Sequence, residues 1–572
     1  MASMLRHWIA CLAAPFLLGA CATVDASPAM VDPQAHGMVS AADPRAAQAG
    51  AEILRQGGSA TDAAIATMLA LGVVEPQSSG IGGGGFLLHA DSEGTVASYD
   101  GREAAPAAAS PGWFLDPDGQ PVPFQQAKLS GLSVGVPGNI RLAALAHARH
   151  GILSWPEVFA PAIRLAREGF RITPRLHQFL TRHATAAGHD PQGRALFFAE
   201  DGAPLPEGTW VKNPALADTL EQVAREGPDA FYTGAHAQGM ADKLAAATPL
   251  AAGMQVADIA SYKAMEREPV CGPYRVWIIC GMGPPSSGAT TVLAILGQLE
   301  GHDLAVLGSE SPMAWHLFAE SQRLAYADRS LYLADPDFVP VPLKGLTDPA
   351  YLARRGSLIS TRQAMDTVHP GTPAGASERP GKGIEPQESG TSHFVVADGQ
   401  GRVASYTSTI EGPFGAGLMV GGFYLNNELT DFSFRPEQDG RLVANRVEGG
   451  KRPRSSMAPT LVFDAQGRVA LALGAAGGPT IPAQVARTII GVLDWGLDVD
   501  QALGLPVLFA PGGTVYVEQG SALEAMIPAL AELGHTRIEA RELPLKSNAL
   551  HRTASGWHGA ADPRSEGVAI TD

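Results

Sequence analysis

Cysteine is nearly absent from this chain of 572 residues: there are four, and Cys11 and Cys21 fall within the first 21 positions. The other pair, Cys271 and Cys280, lacks C-x-x-C spacing, so no structural zinc site is expected. Positive charge is also scarce, with 41 Lys and Arg against 57 Asp and Glu, a net charge of -16, and no basic block. Phosphate backbones are held by clustered Lys and Arg, so no nucleic-acid partner is expected. The 16 histidines are scattered without an H-E-x-x-H or a His/Asp cluster, so neither a catalytic metal nor a cofactor is expected. Long apolar runs are missing too: Trp8 to Ala20 is 13 residues broken by Pro15, too short to span a bilayer as a helix. Heptads and solenoid repeats are not seen. What is abundant is Gly (66) and Pro (44), in a chain that is 45% hydrophobic and 17% charged. That is a globular composition rich in tight turns, long enough for a large core and too long for one ordinary domain.

The apolar stretch follows Arg6 and His7 and ends in Leu18-Gly19-Ala20-Cys21. Residues 1–21 therefore read as an export signal. Its end resembles the bacterial lipobox, in which the cysteine becomes the lipidated first residue; an ordinary secretory signal cleaved after a small residue is the alternative. With Ala22 after Cys21, the resemblance points to the outer membrane. The expected location is periplasmic, attached to a membrane only through a lipid anchor on Cys21. Residues 22–36 read as a polar linker. In an exported protein Cys271 and Cys280 suit a disulfide, and two buried free thiols suit them equally.

Further on, Asp43-Pro44 has the chemistry of a helix N-cap and N1, starting a helix over 45–56 that stops at Gly57-Gly58. Ser59 with Asp62 makes a capping-box-like start for a second helix, apolar all round and therefore buried. Four glycines, Gly82 to Gly85, precede the apolar Phe86-Leu87-Leu88. No Gly-Lys-Ser/Thr follows, which excludes a phosphate loop and leaves close packing of a strand on a neighbouring backbone. Helices are expected over 140–149, 155–168, 216–226, 236–247 and 311–333. Thr367 to Gly390 loses apolar periodicity and reads as a loop or tail. Strands are then expected over 393–397, 403–407, 460–463 and 469–473, with hairpin turns at Asp398-Gly399 and Ala465-Gln466-Gly467.

Gly131-Leu132-Ser133-Val134-Gly135 fits the G-x-S-x-G elbow of serine hydrolases, but neither a hydrophobic strand before it nor a helix after it is present, since Pro137 intervenes. Thr391 stands where the tail meets the first strand. A threonine hydroxyl needs a base, and its own α-amino group, with a reference pKa of about 8, serves once the bond before it is cut. Gly390 leaves that bond unobstructed.

Thr391 to Phe434 and Arg452 to Ile481 resemble the gamma-glutamyltransferase family of N-terminal nucleophile hydrolases. So do Val73 to Phe86, Asp100 to Pro106, Ser130 to Gly138 and Pro284 to Gly288, so the resemblance runs from about Gly37 to the end. It implies an α+β fold, a four-layer αββα sandwich, cut at Gly390-Thr391 into a large subunit (37–390) and a small one (391–572) that form a heterodimer. It implies that Thr391 is the processing and catalytic nucleophile, that Thr409 orients it, and that the N–H groups of Gly477 and Gly478 form the oxyanion hole. For the substrate's amino-acid end it implies Arg102 with Ser455 and Ser456 on the α-carboxylate, and Glu428 and Asp431 on the α-ammonium. The activity implied is cleavage of the γ-glutamyl amide of glutathione and related compounds, with release to water or an acceptor amine; a cephalosporin or glutaryl acylase of the same superfamily is the alternative. Glu411 departs from the family, which has asparagine there; a third carboxylate at the ammonium site would retune amine binding unless it points away. The loop Arg435 to Gly450 is mostly polar with no aromatic residue, an open lid that would favour water over an acceptor.

Overall fold

A computed structural model describes residues 36–248, 253–376, 379–383 and 390–572. The export signal with Cys11 and Cys21, nearly all of the linker, and positions 377–378 and 384–389 of the loop before Gly390 lie outside the described residues.

Thirteen strands build two central sheets. In chain order they are β1 (Met38–Ala41), β2 (Gly84–Ala90), β3 (Val96–Gly101), β4 (Met265–Arg267), β5 (Val270–Tyr274), β6 (Trp277–Gly281), β7 (Ser392–Ala397), β8 (Val403–Thr409), β9 (Thr460–Phe463), β10 (Val469–Ala476), β11 (Lys546–Thr553), β12 (Gly556–Ala561) and β13 (Val568–Thr571). One sheet runs β13-β1-β7-β8-β2-β3-β4 and the other β12-β11-β10-β9-β6-β5, every neighbouring pair antiparallel. The helices that matter for the site are α1 (Pro44–Arg55), α2 (Ala60–Val74), α3 (Trp155–Glu168), α4 (Pro174–Arg182), α5 (Gly288–Leu299), α6 (Pro312–Tyr332) and α7 (Ile481–Leu493). The first sheet packs outward on α1 and α2, with α3 against α2, and the second on α5 and α7, with α6 against α5. The result is the expected αββα sandwich.

The strand alternation of period two sets what faces what. Phe394 and Val396 of β7 join the helix-side core, whereas Val395 and Ala397 meet Leu461, Ala472 and Leu550 between the sheets. His393 shares that inner face, its ring filling the space over Gly474 of β10. The same alternation brings Thr391, two residues earlier, to the inner face at the end of the sandwich.

Local chemistry explains the elements. Asp43 caps α1 with Pro44 at N1, and Ser59 with Asp62 forms a full capping box on α2. In α2 the side chains of Ile65, Met68, Leu69 and Leu71 are all buried, each contributing about 2 kcal/mol. The glycine run packs as expected: a Cβ on Gly82 or Gly83 would fall on the carbonyl oxygens of Tyr424 and Thr409. The 398–402 turn differs in detail. Asp398 caps it by accepting from the N–H groups of Gln400 and Arg402, and Gly401 rather than Gly399 takes the left-handed position, φ 84°. Cys271 and Cys280 stand opposite each other on β5 and β6 and are disulfide-bonded. Ser133 lies in a 3-10 turn, with its hydroxyl donating to the carbonyls of Lys128 and Ser130, which removes the serine-elbow geometry. Among the described residues no helix is long and apolar enough to cross a membrane.

Gly83→Ala, made in a Thr391→Ala background so that the chain stays in one piece, is expected to lower stability by on the order of 3 kcal/mol or more in a denaturant titration, because the backbone carbonyl of Thr409 cannot move aside. A loss below about 1 kcal/mol would mean that the strand relaxes.

Candidate active site

Thr391 enters β7 with 5% of its surface exposed. Its Oγ1 is in close contact with the Gly390 carbonyl oxygen and lies 3.3 Å from Thr409 Oγ1 at the end of β8. The Thr409 hydroxyl donates to the same Gly390 carbonyl at 3.1 Å and accepts the Glu411 N–H at 2.8 Å. Two threonine hydroxyls and the Gly390 carbonyl thus meet at the Gly390-Thr391 bond. A Cβ on Gly390 would collide with the Glu411 carbonyl, so only glycine fits before Thr391.

Ser392 donates to Glu75 at 2.8 Å, and Lys546 Nζ binds the same Glu75 oxygen at 2.9 Å. Burial raises the Glu75 carboxyl, but the charges of Lys546 and Arg175 together with the hydrogen bonds from Lys546 and Ser392 outweigh it and hold Glu75 below the ordinary carboxylate range; burial lowers Lys546. This buried pair anchors β7 just after Thr391. Lys546 is the register partner of Ala476, where β10 ends. Gly477 and Gly478 follow with φ 124° and 56°, a conformation that a side chain disfavours, and turn the chain beside Thr391. A cleft of about 850 Å³ opens there, lined among others by Thr391, Ala476, Gly477 and Lys546.

A second constellation lies behind this point. Arg102 reaches from the end of β3 to Glu428, in close contact, and to Asp431 at 2.5 Å. It also donates to the carbonyls of Pro453 and Arg454. Glu428 and Asp431 occupy one 3-10 turn, which puts both carboxyls on the same guanidinium. All three side chains are at most 2% exposed. Burial pushes the Glu103 carboxyl up to about 7, and burial with neighbouring carboxylates pushes Glu428 well above its usual value, which favours the neutral acid beside Arg102. The Ser455 hydroxyl accepts the Met457 N–H at 3.1 Å, and the Ser456 hydroxyl accepts from Arg329 of α6 at 2.6 Å. Glu411 does not point away: its carboxylate contacts Asn427, next to Glu428, and raises the proton affinity of Glu428. It sits at φ 70°, an uncommon conformation for a residue with a side chain.

The sequence model described as Gamma-glutamyltranspeptidase matches residues 46–571 of the chain. The chain belongs to the gamma-glutamyltranspeptidase family. It is similar to the glutathione hydrolase proenzyme of Escherichia coli (strain K12), 36% identical over 542 residues, covering 93% of this chain and 90% of that protein. It is also similar to the acylase ACY 1 proenzyme of Pseudomonas sp. (strain SE83), 35% identical over 543 residues, 94% and 93% of the two chains. Among solved structures, cephalosporin acylase from Bacillus halodurans superposes with a TM-score of 0.81 at 26% identity, over 95% of this chain and 99% of that one.

Of the residues expected at the active site, Thr391, Thr409, Gly477 and Gly478 lie around Thr391, and Arg102, Glu428 and Asp431 around Arg102, with Glu411 between them and Ser455 and Ser456 following the Arg454 carbonyl that Arg102 binds. The sequence reading missed Ser392, Lys546, Asn427, Glu103 and Arg329, which support those residues from behind. Glu75 and Glu103 lie inside the quoted motifs and were open to notice. Lys546 lies 155 positions after Thr391 with no local pattern around it.

The raised Glu103 carboxyl gives a testable pH dependence. A carboxyl whose folded pKa is raised adds stability that is complete below its unfolded value and lost as pH rises through the folded one. The Thr391→Ala chain should therefore lose stability relative to its Glu103→Gln derivative between about pH 4.5 and 7. The comparison of melting temperatures cancels the buried histidines His89 and His393, held down near 3, whose effect runs the other way. Parallel pH profiles of the two chains would contradict the raised Glu103 carboxyl.

Proposed function

We propose that the chain is a proenzyme that cuts itself at Gly390-Thr391 and then cleaves glutathione and related γ-glutamyl amides through a γ-glutamyl-threonine ester. One observation carries this reading: Thr391 Oγ1 and Thr409 Oγ1 both stand on the Gly390 carbonyl at the head of a rigid buried strand.

In processing, Thr391 Oγ1 attacks the Gly390 carbonyl carbon, the C–N bond breaks, and the Thr391 nitrogen takes up the hydroxyl's proton. Water hydrolyses the resulting ester, leaving the Gly390 carboxylate and a free Thr391 amino terminus. In turnover that amine takes the Thr391 hydroxyl proton while Oγ1 attacks the γ-carbonyl, and it returns the proton to the departing amine. The Gly477 and Gly478 N–H groups are assigned to the oxyanion, Thr409 to orienting Oγ1, and water or an acceptor amine to releasing the acyl group.

Arg102, Ser455 and Ser456 are assigned to the substrate's α-carboxylate, and Glu428, Asp431 and Glu411 to its α-ammonium. In the uncut chain Arg102 and the two carboxylates pair with each other. A zwitterionic amino-acid end inserts between them, its carboxylate on Arg102 and its ammonium on the acids, and leaves no buried charge alone. An acylase substrate without the α-ammonium would leave the carboxylates unmatched, and this favours the γ-glutamyl reading although acylases are among the relatives.

The assigned subunits, 37–390 and 391–572, interlock rather than separate: β1 of the first lies between β13 and β7 of the second, and β2 pairs with β8. The export signal, lipidation of Cys21 and a periplasmic, outer-membrane-attached location also belong to this proposal. The Cys271–Cys280 disulfide supports an oxidising compartment. Glu437, Gln438, Arg441 and Leu442 of the loop after Asp431 are exposed, consistent with an open lid and water as the main acceptor.

The test is glutamate release from glutathione against glutarate release from a glutaryl amide, with and without a dipeptide acceptor. Glutathione should be preferred by about 100-fold or more in kcat/KM, with little stimulation by the dipeptide. Preference for the glutaryl amide would establish the acylase reading instead.

A further inference from the structure

Gly477 follows the end of β10, and the 3-10 turn Gly478–Thr480 runs from it straight into α7. The carbonyls of Ala476 and Gly477 are both held on this path by buried side chains. Gln484, in the first turn of α7, donates from Nε2 to the Ala476 carbonyl at 2.8 Å and to Thr480 Oγ1 at 2.8 Å. Thr480 donates its own hydroxyl to the Gly477 carbonyl at 2.9 Å, and its N–H reaches the same oxygen at 3.3 Å. Gln484 Oε1 accepts the Ser547 hydroxyl of β11 at 3.0 Å. Every link runs in one direction, from Ser547 to Gln484, from Gln484 to Thr480 and from Thr480 to Gly477. Both amide hydrogens of Gln484 are used, one of them on a backbone carbonyl that can only accept, so the side chain has a single orientation. Thr480, Gln484 and Ser547 are at most 3% exposed, so solvent does not replace a lost partner.

A trans peptide is planar, with its N–H pointing away from its C=O. The Ala476 carbonyl shares a peptide with the Gly477 N–H, and the Gly477 carbonyl shares one with the Gly478 N–H. Holding both carbonyls toward Gln484 and Thr480 therefore turns both N–H groups the other way, side by side. Successive N–H groups turned to one side form a concavity that binds anions. Positive φ at Gly477 and Gly478 lets the chain take this shape, and Pro479 adds no N–H of its own. The cleft is lined by Ala476, Gly477 and Thr391, and Thr480 and Gln484 stand behind the turn rather than in its wall.

We infer that Thr480 and Gln484 are positioning residues of the oxyanion hole, fixing the planes of the two peptides whose N–H groups meet the charge that develops when Thr391 adds to a carbonyl. They act through the backbone. A donor helps only when it points at the place where the oxyanion forms, so tilting these peptides costs kcat and leaves KM nearly alone. The inference rests on the assignment of Gly477 and Gly478 to the oxyanion.

The experiment compares processed wild type, Thr480→Val, Thr480→Ser and Ser547→Ala on a γ-glutamyl nitroanilide, each normalised to the amount of cut small subunit. Valine keeps the shape of Thr480 and removes the hydroxyl. In Thr480→Val kcat should fall about 10- to 100-fold, with KM within about twofold of wild type. Thr480→Ser restores the hydroxyl and should return kcat to within about threefold. Ser547→Ala releases only the far end of the chain of hydrogen bonds and should lower kcat about threefold. A second readout uses a glutamate analogue with a boronic acid in place of the γ-carboxyl. Its boron takes the Thr391 oxygen as a fourth bond while the hydroxyl proton passes to the Thr391 amine, which gives a tetrahedral anion. Inhibition by this compound should weaken in Thr480→Val by the same factor as kcat, while inhibition by glutamate should not. An unchanged kcat in cut Thr480→Val, a serine variant as poor as the valine one, or equal weakening of both inhibitors would overturn the inference. If Thr480→Val stays uncut, Ser547→Ala decides, and an unchanged kcat there overturns it. A wild type that binds the boronic acid no better than glutamate would instead overturn the oxyanion assignment itself.

Discussion

The contact between Thr391 and the Gly390 carbonyl is the constraint on which the rest of the structure depends. It requires that a residue at the mouth of the sandwich be held as rigidly as one in its middle. Three features do this. β7 is buried along its whole length between β1 and β8. Thr409, at the end of β8, fixes the carbonyl from the side, and the N–H of Glu411 fixes Thr409 in turn. The Glu75–Lys546 pair then clamps Ser392, tying the large and small pieces together within one residue of the nucleophile. Breaking one partner of such a buried pair costs about 3–5 kcal/mol, because the other charge is left uncompensated.

The Arg102 group obeys a different constraint. Its charges are buried and paired with one another; under the proposed function this keeps them matched until a zwitterion arrives to be recognised in a low dielectric. Pairing Arg102 with Glu428 and Asp431 meets both conditions. The raised Glu103 and Glu428 carboxyls favour their neutral forms, which trims the excess of acid over base in the same space. Glu411 stands beside this group with the buried Lys128 as its counter-charge, contacts Asn427 and takes a left-handed backbone conformation next to Thr409.

Much of this was legible in the sequence where local chemistry decides it. The caps Asp43 and Ser59, the buried α2 and the strand starts at 403, 460 and 469 follow from side-chain type and periodicity. The ends of β8 and β10 were harder to read: both run on past the apolar residues, to Thr409 and Ala476, because the polar or small residues there serve the site rather than the core. The motifs hold Arg102 and Glu428, which meet in the structure, and Thr391, which stands at the Gly390 carbonyl. The supporting contacts escaped, since Lys546 and Ser392 meet only through the pairing of β11 with β10 across the sandwich. No local pattern encodes such a pairing, and the same holds for Arg175, whose neighbour Glu75 is 100 residues earlier.

The central claim is that Thr391 becomes an amino terminus by its own attack. Intact mass and amino-terminal sequencing of purified wild type and of Thr391→Ala test it most directly. The account predicts two wild-type fragments, the smaller beginning at Thr391, and an uncut Thr391→Ala chain. A wild type that stays whole under conditions that favour turnover, or a Thr391→Ala chain cut at the same bond, would contradict it.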